Sequence, residues 1–353
     1  MTDSKTAKQS LNIEKCVNDI LATIDRERER SIISRRFGLF DRKETLEQIG
    51  ELLGITRERV RQLEKAVVMR LQEAGAKLPD VTELQSLFIK HLDADGKIAR
   101  VSLLASELTA EGSRIDQSRI AFLAHLCPEL TVLEENDDYF HAVAIKTVYN
   151  EQDIKKDVAK IIDVIKKIGE PASIETVAEK AGIKDSKQTK ALASISKQLA
   201  TLNNRWGLIK WPMVNPKNIR DKIYVILKEN GKHMHFNEIA KTIKNSDFKR
   251  KNATTQAIHN ELIKDDRFVL IGRGIYALKE WGYSKGTVAD VITKVLRESG
   301  QPLHRDEIVK RVLKSRYVKE TTILLNLQGK SQFKRVAKAT YDIADVPIKS
   351  KKA

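Results

Sequence analysis

The chain has 353 residues and a net charge of +16; 41% of its residues are hydrophobic, 32% charged and only 5% aromatic. That length suggests two to four domains, and the balance suits several small helical domains better than one large sheet enzyme. No apolar run is long enough to span a bilayer. The N-terminal MTDSKTAKQS lacks the apolar core of a signal peptide, and the isolated Cys16 and Cys127 give neither a disulfide framework nor a CxxC zinc site. The expectation is a cytoplasmic protein.

Residues 1–25 read as a polar lead-in with one short helix, Leu11 to Ile24. Residues 26–78 form the next unit. Within it, TLEQIGELLGITRERVRQLEKAVVMRL (45–71) predicts an amphipathic helix from Thr45 to Leu53, a stop at Gly54, and a second helix capped by Thr56. Leu46, Ile49 and Leu53 should oppose Val60, Leu63 and Val67 in a small core. This is a helix-turn-helix pattern, and such domains usually read duplex DNA through the major groove. Leu78-Pro79-Asp80 is a natural break, since Pro79 pushes Leu78 out of the helical region.

Beyond the break the chain repeats itself. IYVILKENGKHMHFNEIAK from Ile223 and ITKVLRESGQPLHRDEIVK from Ile292 align without a gap. They share Leu227/Leu296, Gly231/Gly300, His235/His304 and Glu238/Glu307, among others. Each predicts a helix, a glycine stop, a short extended piece and a capped second helix. Phe268 to Tyr276 is matched by Phe333 to Tyr341, and FVLIGRGIYAL reads as a hairpin. Two weaker copies precede these. One carries Phe88, Leu92, Gly96 and Leu104 and ends near Tyr139-Phe140. The other carries Ile161, Ile165, Gly169 and Val177 and ends in a hairpin-like stretch at Trp206–Trp211. The predicted fold is mainly α: a helix-turn-helix domain followed by tandem winged-helix (α+β) units at 79–150, 151–215, 216–285 and 286–346, then a basic tail at 347–353.

Charge is uneven along this plan. Residues 1–78 carry +3, residues 79–150 carry −6, and residues 151–353 carry +19. The basic part points to a polyanion partner, with phosphate contacts that add affinity without sequence information. The acidic unit should repel DNA, so protein is its expected contact.

Arg28-Glu29-Arg30-Ser31-Ile32-Ile33-Ser34-Arg35-Arg36-Phe37-Gly38-Leu39, followed by TLEQIGELLGITRERVRQLE, resembles region 4 of bacterial sigma-70 family factors. The resemblance covers about 45 residues, and TRERxRQxE is not shared by generic helix-turn-helix domains. It implies that the second helix reads promoter −35 DNA. Arg57, Glu58 and Gln62 would face base edges: arginine suits guanine, glutamate can accept from cytosine, and glutamine can pair with adenine. Arg59 and Arg61 would contact phosphate, as would Thr45 through its hydroxyl and backbone N–H. The bland alternative is an exposed helix face with internal pairs such as Glu58–Gln62. The family's region 2, which melts the −10 element, has no counterpart in the few polar residues before the match, so a conventional sigma factor acting alone is not expected. Docking of region 4 on the β flap of core RNA polymerase remains open.

Residues Ile219 to Tyr283 look like a HARE-type winged helix, as in the delta subunit of RNA polymerase. The likeness rests on the helix before Gly231, on Met234 to Ala240 and on the FVLIGRGIYAL wing. Residues 286–345 look like a divergent second copy. Lys244, Lys249, Arg250 and Lys251 would form a basic loop before a recognition helix at Ala253–Ile263, whose polar face is Thr254, Thr255, Gln256 and His259. Arg273 would sit at the wing tip, and Lys330, Lys334, Arg335 and Lys338 would play the analogous part in the last copy.

Catalytic and metal patterns fail. His233 and His235 alternate as in a strand and face apart, and His125 and Cys127 lack a second pair of ligands. Asp93, Asp95 and Gly96 lack the closing glutamate of a calcium loop. Glu134-Glu135 and Asp137-Asp138 read as a turn. Neither a phosphate-binding GxxxxGK[ST] nor a nucleophile elbow appears. The expectation is a nucleoid-associated, non-enzymatic transcription protein without metal or cofactor. Its partners would be duplex −35-like DNA and RNA polymerase core. The alternative is a delta-like adaptor that grips the polymerase rather than a specific DNA sequence.

Overall fold

A computed structural model describes residues 12–248, 253–283 and 285–344. They form two compact units divided between Lys210 and Trp211, each mainly helical with small antiparallel sheets. No helix among the described residues is long and apolar enough to cross a membrane.

The first unit opens with α1 (Ile13–Ala22), capped by the Asn12 side chain. The sequence reads this stretch as a lead-in, but α1 buries Ile13, Cys16, Val17, Ile20 and Leu21 in the unit's main core. Arg119 holds it there, donating to Glu14 at 3.0 Å and to the Leu39 carbonyl at 2.8 Å. The apolar spacing at 13, 16/17, 20/21 and 24 is the signature of a packed amphipathic helix. Burial raises the thiols of Cys16 to about 11 and Cys127 to about 12. Both are therefore protonated and unreactive at neutral pH.

Next come α2 (Glu27–Phe37), α3 (Leu46–Leu53) and α4 (Arg57–Ala74). Ile32, Ile49 and Val60 are fully buried together, flanked by Leu46, Leu53, Ile55 and Leu63. Val67 instead joins the main core. That core unites Ile33, Leu39, Val67 and Leu71 of this domain with Leu84, Phe88 and Phe122 beyond the Leu78-Pro79 break. The break bends the backbone without opening a seam in the packing.

Four modules follow with one element order: helix, short strand, two helices, hairpin. The first comprises α5 (Val81–Asp95), β1 (Ile98–Arg100), α6 (Val101–Leu108), α7 (Arg114–Leu126), β2 (Leu130–Leu133) and β3 (Ala142–Ile145). The second comprises α8 (Glu151–Ile168), β4 (Ala172–Ser173), α9 (Ile174–Ala181), α10 (Ser186–Ile195), β5 (Leu199–Leu202) and β6 (Arg205–Leu208). Its hairpin lies at 199–208 rather than at 206–211. Asn203 and Asn204 both adopt positive φ, 49° and 58°, which is what a two-residue turn between twisted strands demands. Asp93 and Asp95 lie within α5, with Asp93 paired to Lys97, so this stretch is helix rather than a cation-binding loop.

The second unit repeats the order with α11 (Ile219–Asn230), β7 (Met234–His235), α12 (Phe236–Asn245), α13 (Thr255–Lys264), β8 (Phe268–Gly272) and β9 (Ile275–Leu278). Then come α14 (Val288–Ser299), β10 (Leu303–His304), α15 (Arg305–Ser315), α16 (Glu320–Gly329), β11 (Phe333–Ala337) and β12 (Thr340–Ile343). The aligned residues do the same jobs in both copies. Gly231 and Gly300 end their helices in the left-handed region, and His235 and His304 cap the next helices through their side chains. Met234 pairs with Tyr276 as Leu303 pairs with Tyr341, and both hairpins carry a register shift at the same place. All four sheets place the short strand beside the last strand of the hairpin. The outer strand β8 is partly covered by the 316–317 segment: Tyr317 N–H donates to the Ile271 carbonyl at 3.1 Å, and Arg316 donates to Leu270.

Candidate nucleic-acid interface

The helix-turn-helix geometry begins at two glycines. Gly54 ends α3 with φ 65°, a conformation that side chains with a Cβ resist. A Cβ on Gly50 would come within 2.7 Å of the Ile55 carbonyl oxygen. Only a bare backbone lets α3 approach the turn so closely. Thr56 then caps α4, accepting from the Arg59 N–H at 3.2 Å and satisfying one of the helix's orphan donors.

Other motif residues hold the three helices together. Arg28 donates to the Leu53 carbonyl at 2.6 Å, steadying the end of α3 from α2. Glu29 is buried at 5% exposure and pairs with Arg26 and with Arg70 of α4. Arg35 meets Glu44 at 2.8 Å, and Arg36 meets Glu64 at 3.2 Å. Arg28 and Glu29 of the Arg-Glu-Arg signature are thus architectural: they brace α2 against α3 and α4.

That bracing presents the first turns of α4 to solvent. Arg57, Glu58, Arg59, Arg61 and Gln62 are all exposed, while Val60 points into the core. The exposed side chains engage one another. Arg57 reaches across the turn to Glu47 of α3 at 3.0 Å. Arg61 makes a two-pronged contact with Glu58, at 2.9 and 2.7 Å. Gln62 lies between, 3.5 Å from Glu58 and 3.4 Å from Arg59. The guanidinium hydrogen bonds hold the carboxyls of Glu47 and Glu58 below the usual range. The three residues expected to face bases therefore share one surface with Arg59 and Arg61. Arg61 braces Glu58 there.

Thr45 is placed differently from the expectation. Its hydroxyl oxygen accepts from Gln48 N–H at 3.2 Å, and its backbone N–H donates to the Gln48 side chain at 2.9 Å. This reciprocal capping box uses the N–H that was expected to meet phosphate. Only the hydroxyl proton is left to donate outward.

In the second unit, Lys249, Arg250 and Lys251 lie outside the described residues. Arg273 is exposed at the turn between β8 and β9. Beside it, Gly274 has φ 69°, and a Cβ there would meet the His235 ring at 2.5 Å. Thr254 caps α13 rather than lying on its face, and Gln256 bonds to Asn260. His259 stacks against Phe236, with ring centres 4.6 Å apart, and is half-buried; aromatic packing removes it from the expected polar face. Lys334 and Arg335 are exposed on strand β11, not in a loop. His233 and His235 take packing roles: His233 lies on Tyr317 at 4.4 Å, and His235 on Phe236 at 4.5 Å.

Two features escaped the sequence. One is the Glu47–Arg57 pair, ten residues apart and joined only by the crossing of α3 and α4. The other concerns His125. It does not meet Cys127, whose thiol donates to the Leu123 carbonyl. His125 lies instead 2.7 Å from Glu134, with His141 beside them.

Known proteins match at this same place. Residues 26–73 match the family profile Sigma-70, region 4. A 61-residue stretch is 41% identical to the RNA polymerase sigma factor SigA of Bacillus sp, covering 17% of this chain and 16% of that protein. The chain thus spans about a sixth of the length of the curated relative it matches. The match and the exposed α4 surface together support a sigma-factor-related, DNA-binding role for this domain, in transcription rather than catalysis.

Proposed function

We propose that this protein binds promoter DNA of the −35 type through the N-terminal turns of α4 and acts together with RNA polymerase. The observation that carries the reading is the exposed set Arg57, Glu58 and Gln62 on a helix fixed by the Gly50–Gly54 turn, inside the stretch that matches region 4. Arginine, glutamate and glutamine offer a donor fork, an acceptor and an amide, enough to distinguish base pairs in the major groove. Arg59 and Arg61 supply phosphate contacts around them. The repeated helix–strand–helix–helix–hairpin modules are read as winged helices, and the last two as HARE-type. Their basic hairpins, with Arg273, Lys334 and Arg335, would add sequence-independent affinity. Lys249, Arg250 and Lys251 belong to the same reading by sequence alone.

The test is duplex binding. Arg57→Ala or Gln62→Ala should weaken binding to −35-like DNA by about 1–3 kcal/mol while leaving scrambled duplex unaffected. An equal loss on every sequence would defeat base reading.

One observation favours a second reading, in which the domain grips the β flap of the polymerase as an adaptor. The acidic 79–150 segment shares a core with the helix-turn-helix, which brings a DNA-repelling, protein-seeking surface to the reader itself. Retention of core polymerase in nuclease-treated, high-salt extract by the Arg57→Ala protein would support that alternative.

A further inference from the structure

His125 sits in the last turn of α7, Glu134 directly after β2, and His141 directly before β3. The Leu133–Ala142 pairing at the base of the hairpin brings Glu134 and His141 side by side. One ligand atom from each of the three residues lies within 4.8 Å of the others. Glu134 uses both oxygens: Oε1 is 2.7 Å from His125 Nε2, and Oε2 is 3.7 Å from His141 Nε2. His141 Nε2 is buried and has no hydrogen-bond partner among the described residues. A buried polar nitrogen left without a partner requires an explanation. A ligand at which three side chains aim would provide one.

We propose that His125, Glu134 and His141 form a binding site for one divalent transition ion of the zinc class. Two imidazoles and a carboxylate are a borderline donor set that suits zinc better than calcium or magnesium. Bonds of about 2.0–2.1 Å in a tetrahedron put ligand atoms roughly 3.3 Å apart, so the 2.7 Å contact between Glu134 Oε1 and His125 must open and the ligand atoms that lie farther apart, none beyond 4.8 Å, must close on the ion. The parts that must stay fixed are fixed. The His125 carbonyl accepts from Gln72 of α4 at 3.1 Å, and the His141 carbonyl accepts from Val101 N–H at 2.9 Å. Glu134, with its side chain 65% exposed, is the arm free to adjust.

The ligands line a cleft of about 650 Å³ that also receives Arg36, Lys43, Arg61 and Lys65. Arg36 and Arg61 are matched by Glu64 and Glu58, so Lys43 and Lys65 are the cations that oppose a bare metal ion. Two neutral imidazoles and one carboxylate leave a divalent ion with a single net positive charge, so the cleft favours an anion in the fourth position. Occupancy would tie α7 to the hairpin on the wall that α4 shares through Arg61 and Lys65.

Full-length protein, stripped with chelator and free of any histidine tag, would be titrated with zinc against a chromophoric chelator. Cobalt(II) would serve as a visible-spectrum probe. One ion per chain is expected, with intense cobalt bands. His141→Gln should abolish both, and Glu134→Gln should weaken zinc binding at least tenfold. Because Glu134 is exposed, that variant should fold even if His141→Gln does not, and circular dichroism melting would verify it. Failure of the wild type to bind stoichiometrically would overturn the site. So would binding that survives unchanged in both variants, leaving the cluster a histidine–carboxylate ion pair only.

Discussion

The helix-turn-helix and the twin modules of the second unit carry positive charge in different ways. On the first, Arg35, Arg36, Arg57 and Arg61 are each matched to a glutamate within 3.2 Å, and residues 1–78 sum to only +3. On the second, Arg273 and Arg335 project from hairpins in a stretch where cations far outnumber carboxylates. The difference teaches what each surface can ask of DNA. A paired guanidinium is oriented, and it leaves its carboxylate only for a better-placed acceptor such as a guanine edge. The exposed Arg57–Glu47 and Arg61–Glu58 pairs are weak, so the exchange costs little there. An excess of unopposed charge demands nothing of sequence and responds to any phosphate.

The largest expected effect comes from removing the support under the oriented surface. Ile49 is one of three fully buried residues in the small core below α4. Ile49→Ala should destabilise that domain by about 2–5 kcal/mol, seen as a lower urea midpoint. Discrimination between −35-like and scrambled duplex should collapse with it. Retained discrimination at an unchanged midpoint would mean that the small core does not hold the reader. Next in size is the loss on specific DNA alone for Arg57→Ala, given above.

The second unit should behave in the opposite sense. Replacing Arg273 and Arg335 together by alanine should weaken binding to all duplexes alike, and the salt slope should fall by about one for each phosphate no longer neutralised. A sequence-dependent loss would erase the contrast. The smallest effect concerns a pair inside the second unit. Arg267 bridges Asp265 at 2.8 Å and Asp221 at 3.2 Å, and its hydrogen bonds hold the Asp265 carboxyl below the usual range. A carboxyl lowered in the folded state stabilises above its unfolded pKa of about 3.9 and loses that contribution as pH falls through the folded value. Melting temperature should therefore decline below about pH 4 less steeply in Asp265→Asn than in the wild type. Parallel declines would show that the pair is idle.

Much of this arrangement was legible from residue spacing. The α3–Gly54–α4 corner follows from apolar periodicity and a glycine stop, and the matched pairs Gly231/Gly300 and His235/His304 mark the same helix ends in both copies. What the spacing could not reach depends on how elements cross. The Arg57–Glu47 pair exists because α3 and α4 meet at one angle, and Thr45 gives its N–H to a capping partner only three residues away. The Trp206–Trp211 stretch drew the second hairpin too far along the chain, although Asn203-Asn204 marked its turn. His125, Glu134 and His141 are brought together by hairpin register, which a linear pattern does not carry.

The continuous core across Leu78-Pro79 has a consequence for inheritance. The 26–73 stretch that matches region 4 is shorter than the body that folds. Cut at its own ends, it would bare the faces of Ile33, Leu39, Val67 and Leu71 that belong to the main core shared with α7. A domain of this form cannot be transplanted by its matching residues alone. It must travel with α1 and with its acidic neighbour, so selection on either has to be answered by the other.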